Sequence, residues 1–289
     1  AFHDFSRDAI GPVAAVALHA AVAGYVVAGI LALVALLLPA RARMSWADGT
    51  GMSATGALGV YFVARFLESG TTPLQNIFEV LVLSAFFLAL AYFVATRIKP
   101  MPALGGFAFP ALSLIFMLSF LLAGSAGSSD GPLDNPLLVL HIVLTVLAYG
   151  VFFMAATASL MFLISERALK RRLESRIVAS FPPLESLKRL VNQCVLVGLP
   201  LLTLGFLLGF ATFSASDWGA LHHNPKILAS LVLWTVLLAT FVGRLAGWLH
   251  GRRHYYLLLV GLLLVIASYV GLGLVERASR QPVDTAGRV

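Results

Sequence analysis

The chain has 289 residues, 60% of them hydrophobic and only 11% charged, with a mean hydropathy of +0.93 and a formal charge of +7. A soluble domain carries about 45–50% apolar and about 25% charged residues, so an ordinary soluble enzyme, a disordered chain and a coiled coil are excluded. Apolar runs long enough to cross a bilayer recur from end to end, and the fold class they predict is all-α: a polytopic membrane helix bundle forming one integral domain over residues 1–289.

Eight transmembrane helices are predicted, at about 11–40, 51–67, 76–96, 103–123, 137–165, 191–213, 227–249 and 255–275. The second is short of the roughly 20 apolar residues a span needs. After the fifth, "SERALKRRLESR" continues the helix out of the apolar zone until Pro182 and Pro183 stop it, which makes 166–190 a basic linker. Residues 276–289 are polar and read as a flexible tail. Arg41 and Arg43, Arg97 and Lys99, the linker, and Arg252 and Arg253 all fall on one side of the eight-helix count. The opposite side holds Glu68–Gln75, Gly124–Pro136 and Ser214–Lys226, where Lys226 is the single basic residue. Basic loops stay in the cytoplasm, so the linker is placed inside and the 214–226 loop outside. The tail, with Arg277, Arg280 and Arg288, is the exception.

The lone cysteine, Cys194, rules out an internal disulfide, a CxxC relay and a cysteine-based zinc site. The positive charge is read as a surface for the lipid bilayer rather than for nucleic acid, since no basic stretch carries the interleaved aromatics of a single-strand binder. No P-loop, GxSxG elbow or HExxH occurs. Histidines are the informative residues, because an ionisable side chain is costly in hydrocarbon. His19 falls about two turns into the first helix and His141 about one turn into the fifth, both from the outer end, and His222 and His223 lie in the outer loop before the seventh. Two such imidazoles from different segments could clamp a haem iron; the plain alternative for each is a bond to a nearby carbonyl or hydroxyl. Among the charged residues, Arg65 and Glu68 are three apart and can pair on one helix face, while Glu79 lies one turn into the third helix, suited to a hydrogen bond or to a salt bridge with an arginine.

Several segments, in this order, resemble the CcsA-type membrane proteins of system II cytochrome c biogenesis. "RFLESGTTPLQNIFEVLVLSAF" is similar to an early P-x-x-N-x-x-E motif, matched by Pro73, Asn76 and Glu79. "LLVLHIVLTVLAYG" is similar to the segment with the family's first external histidine, which His141 matches. "DWGALHHNPKILASLVLW" stands in the place of the tryptophan-rich haem-binding loop, where Trp218, Gly219, Pro225, Lys226 and Trp234 match. "GRLAGWLHGRR" and "SYVGLGL" resemble shorter HemX- and YpjD-like relatives. The chain departs from the pattern at Val242, aligned with a transmembrane histidine, and in having no histidine after His254.

The resemblance implies a haem-handling protein of the bacterial inner membrane that binds or presents haem, of b-type, at the outer face for attachment to apocytochrome c. His141 is then an axial ligand, His222, His223 or His19 the second, Trp218 a haem contact and Arg65 a propionate partner. A CcsB/ResB-like membrane protein and apocytochrome c are the implied partners. Whether the chain is part of a cytochrome c haem lyase complex stays open. The other reading is a haem-free scaffold or regulatory subunit of a respiratory or biogenesis complex.

Overall fold

The structure, a computed structural model, describes residues 11–38, 41–70, 72–74, 76–123, 135–172, 176–212, 225–246 and 252–279. All regular structure among them is helical. The elements are α1 (Pro12–Leu37), α2 (Arg41–Ser69), α3 (Ile77–Ile98), a 3-10 turn (Pro102–Leu104) leading into α4 (Gly105–Ala123), α5 (Pro136–Lys170), the short α6 (Arg176–Ala179), α7 (Leu184–Ala211), α8 (Pro225–Leu245) and α9 (Arg253–Ser279). The protein is a multi-pass membrane protein: α1, α3, the segment Pro102–Leu122, α5 and α7 are long and apolar enough to cross a bilayer, and α8 and α9 carry shorter apolar stretches at Trp234–Gly243 and Arg253–Ala267.

Several boundaries differ from the predicted ones. Helix α2 starts at Arg41, not near residue 51, and has 29 residues. Its first half is too polar to extend an apolar run, yet Asp48, Thr50 and Thr55 find partners within the bundle. Tyr92 of α3 donates to Asp48 at 2.6 Å, and Thr50 and Thr55 donate to carbonyls of the preceding turn. Helix α7 starts at Leu184, directly after Pro183, rather than at 191. Glu185, Lys188 and Arg189 interrupt the apolar run in sequence, but they are exposed while Leu187 and Leu190 are buried. A one-sided, amphipathic opening of this kind is invisible to a count of consecutive apolar residues. Helix α9 continues through Ser279, past the predicted end of the last helix at 275, and the rest of the expected tail, 280–289, lies outside the described residues.

Helix starts follow local chemistry. Pro12 and Pro136 stand at first helical positions, where the missing N–H costs nothing. Asn76 caps α3 by accepting from the Glu79 amide at 2.9 Å, and Asn135 caps α5 by accepting from Leu137 at 3.0 Å. Gly70 ends α2 with φ of +66°, a left-handed conformation that strains any residue with a Cβ, and its amide donates to the Phe66 carbonyl.

In the bundle, α1 lies along α2 and α4, α3 is held between α4 and α5, α5 pairs with α7, and α9 packs on α5 and α8. Apolar burial does not separate helix from lipid, so association rests on close packing and polar bonds. Small residues supply the first: Gly150 of α5 sits against the α3 backbone, where a Cβ would be 3.0 Å from the Phe87 carbonyl. Fully buried tyrosines supply the second, as where Tyr25 of α1 bonds Thr55 of α2 at 2.8 Å. Contacts sort the bundle into two ends. Phe78 meets Phe120, Arg65 meets Glu79 and His141 meets Gly205 at one end. Lys99 meets Ser186, Arg252 meets Glu166 and Phe107 meets Phe181 at the other, basic end.

Candidate functional site

Helix α5 presents His141 in its second turn, and α7 presents the surface that receives it. The His141 Nδ1 donates to the Gly205 carbonyl at 2.6 Å. A Cβ at Gly209 would lie 2.8 Å from the Cε1 and Nδ1 of the imidazole, and one at Gly205 would lie 2.6 Å from the Thr145 hydroxyl. Gly205 and Gly209 are one turn apart and form a flat strip, against which His141 and Thr145, also four apart, lie side by side. One turn of backbone carbonyl inside a helix is normally committed to its own ladder, and its second lone pair is what the imidazole uses. The half-buried His141 therefore has a fixed ring position and a fixed tautomer. Thr145 Oγ1 is buried with no hydrogen-bond partner among the described residues.

The opposite face of α7 anchors α8. Trp234 donates its indole N–H to the Thr203 hydroxyl at 3.1 Å and stacks on Phe206, with centroids 5.8 Å apart and rings 15° from parallel. Phe206 in turn meets Phe210 edge-on. Helix α8 begins at Pro225, and Trp234 within it ties it to α7, the helix that receives His141.

Beside this pair, an ion pair closes α2 on α3. Arg65 Nε lies 3.3 Å from Glu79 Oε1, and the Glu79 side chain is only 3% exposed. Asn76, capping the same turn, and Pro73, in the bend after Gly70, set where α3 starts. The predicted Arg65–Glu68 pair is replaced: Glu68 accepts from the Val13 amide at the start of α1 at 3.2 Å. An unsatisfied helix N-terminus attracts a carboxylate, and Arg65 is drawn to the buried Glu79. The small apolar cluster of Leu74, Leu83 and Val146, with Phe62, Ile142 and Val143 packed on it, joins this ion pair's helices to the His141 turn of α5.

The structure distributes the predicted residues unevenly. His141 and the helix carrying Trp234 are brought together through α7. His19 is at the same end, but it is exposed, bonded at 2.7 Å to the Ala15 carbonyl of its own helix, and carried by a helix that packs on α2 and α4. Trp218, His222 and His223 lie outside the described residues, and of Pro225 and Lys226 only the helical backbone is described. Gly205, Gly209, Thr145, Thr203 and Phe206 were not singled out from the sequence. A signal was there: "GFLLG" is a GxxxG strip in an apolar helix.

A family model described as "Cytochrome C assembly protein" matches residues 74–278, well over half of the chain. Among curated proteins, a cytochrome c biogenesis protein CcsA of Synechococcus sp. (strain WH7803) is 26% identical, with 84% of this chain and 90% of the relative covered. The protein of that name from Synechococcus sp. (strain CC9902) is 28% identical over 75% of this chain and 80% of its own length. That of Gloeobacter violaceus is 25% identical over 77% and 82%. No solved structure matches the chain.

Proposed function

The chain belongs to the cytochrome c assembly protein family, and from that membership we propose that it binds haem at the His141 end of the bundle and presents it for attachment to apocytochrome c. The observation that carries this reading is the bond from His141 to Gly205. A carbonyl only accepts, so Nδ1 carries the proton and Nε2 keeps the lone pair that an iron requires. His19 makes the same kind of bond to the Ala15 carbonyl of its own helix, so this tautomer makes an imidazole competent as an axial ligand, and the bond across to α7 is what sets His141 apart. The residues on hand thus fit the group. Bound haem would supply the iron and the vinyl groups that take up the thiols of a CxxCH segment. This chain has no such segment, only Cys194, so its own haem would be held non-covalently, as b-type.

What the protein contributes is position. His141 holds one side of the iron, with His222 or His223, ahead of α8, as the second ligand and His19 as the less favoured one. Trp218 stands in the same loop as a haem contact. Trp234 and Thr203 fix the helix that follows the loop, and Pro225 and Lys226 begin it. We assign Arg65 to clamping α2 on α3 through Glu79 rather than to a haem propionate, because a propionate would have to displace a buried carboxylate. The His141 end faces outward across a bacterial inner membrane and the basic loops face the cytoplasm. A CcsB/ResB-like membrane partner and apocytochrome c complete the assembly.

The test is the visible spectrum of the detergent-purified protein, oxidised and then reduced. A Soret band with sharp α and β bands on reduction is expected, and His141→Ala should lose most of the bound haem. Undiminished haem in that variant would remove His141 as the ligand. A colourless protein from haem-replete cells would favour the scaffold reading, which draws on the separation of His19 from the α5–α7 pair.

A further inference from the structure

At the basic end, α3, α5 and α7 leave a cavity of about 390 Å³. Met154 and Cys194 lie at its floor, and its rim carries Val94, Ile98, Leu196 and Val197, which are 51%, 70%, 62% and 52% exposed. In a membrane-spanning bundle these residues face acyl chains, so the groove opens sideways into the bilayer. Its mouth is cationic. Lys99, just past the end of α3, donates to Ser186 at 2.7 Å, and Arg189, one turn into α7, lies beside it. The lining contains no carboxylate. Along α7 the groove runs from Ser186 to Val197, about 16 Å at 1.5 Å per residue, enough for much of one acyl chain.

We propose that this groove is a binding site for an anionic phospholipid, with an acyl chain between α3 and α7 and the headgroup phosphate on Lys99 and Arg189. Charge complementarity selects the headgroup, and the sideways opening selects a ligand already in the membrane. The site lies at the end opposite His141 and does not depend on the haem reading. A lipid there would stitch α3 to α7 alongside the Lys99–Ser186 bond, and it would give the basic loops a fixed membrane anchor.

The test is native mass spectrometry of the detergent-solubilised full chain titrated with dioleoylphosphatidylglycerol or dioleoylphosphatidylcholine. One molecule of the glycerol lipid should bind in preference to the choline lipid. Each basic residue near a membrane surface strengthens such binding by about fivefold, so Lys99→Gln with Arg189→Gln should weaken it by roughly 25-fold. Lys170→Gln with Arg171→Gln, which removes equal charge outside the groove, should leave the first lipid bound. Equal binding of the two lipids would overturn the site. So would equal losses in the two double variants, which would mean diffuse surface attraction. Haem displacing the lipid at Lys99 and Arg189 would reassign the groove. All four substitutions are at exposed positions, and a thermal melt of each variant separates loss of lipid from loss of the Lys99–Ser186 and Lys170–Glu166 contacts.

Discussion

The His141 imidazole is held from two sides: the Gly205 carbonyl takes its Nδ1 proton, and Gly209 leaves room for its ring. Two effects compete when Gly209 is replaced. Replacing a helix-interior glycine gains at most about 0.5–1 kcal/mol, the alanine value, and less for a β-branched residue, while forcing atoms into a packed interface costs about 1–3 kcal/mol. With a Cβ 2.8 Å from the ring, the second wins. Gly209→Val should therefore reduce haem retention although His141 is intact, and wild-type haem content in that variant would show that the strip does not set the ring. Thr145 gives the opposite sign. Its hydroxyl is buried without a partner among the described residues, and such a group costs about 1–3 kcal/mol. Thr145→Val, which keeps the shape, should leave the melting temperature unchanged or raise it; a lower one would reveal a partner for the hydroxyl in the membrane.

Among elements, the Arg65–Glu79 ion pair joins α2 to α3 at the His141 end, 3.3 Å long with the carboxylate almost wholly buried. Breaking a buried pair from one side costs about 3–5 kcal/mol, because the remaining charge is stranded. Glu79→Ala should thus destabilise strongly. Arg65→Leu combined with Glu79→Leu should be far milder than the sum of the single changes, and a thermal-melt double-mutant cycle reads the difference. Additive effects would mean that the two side chains do not depend on each other. The elements themselves were largely legible as runs of apolar residues. The start of α2 was not, because Asp48, Thr50 and Thr55 look like loop residues until Tyr92 and the preceding carbonyls are seen to satisfy them. The start of α7 was hidden for a related reason: charges on one face conceal burial on the other.

At the scale of the molecule, the two ends differ in chemistry. One holds His141 and the Arg65–Glu79 pair; the other gathers Lys99, Glu166, Lys170 and Arg252, with Glu166 bonded to Arg252 at 2.6 Å and paired with Lys170 at 3.0 Å. Ion pairs near the surface contribute little to stability, so the basic end is better understood as a determinant of orientation. In a Cys194→Ala background, Ser216→Cys should react with a membrane-impermeant maleimide in intact cells, and Arg172→Cys only after permeabilisation. The reverse pattern would invert the proposed topology.

The sequence by itself determined that the chain is a multi-pass helical bundle, where most helices lie, and which family it resembles, because lipid imposes long apolar runs and the motif residues keep their order. It also marked His141, since a histidine in hydrocarbon stands out. Only the tertiary structure decided what that histidine is bonded to, that Arg65 belongs to Glu79 and not to Glu68, and that His19 sits apart on α1. Those outcomes depend on which helix faces which, and in lipid that choice is made by the fit of small residues and the pairing of a few polar groups rather than by hydrophobicity, which every helix shares.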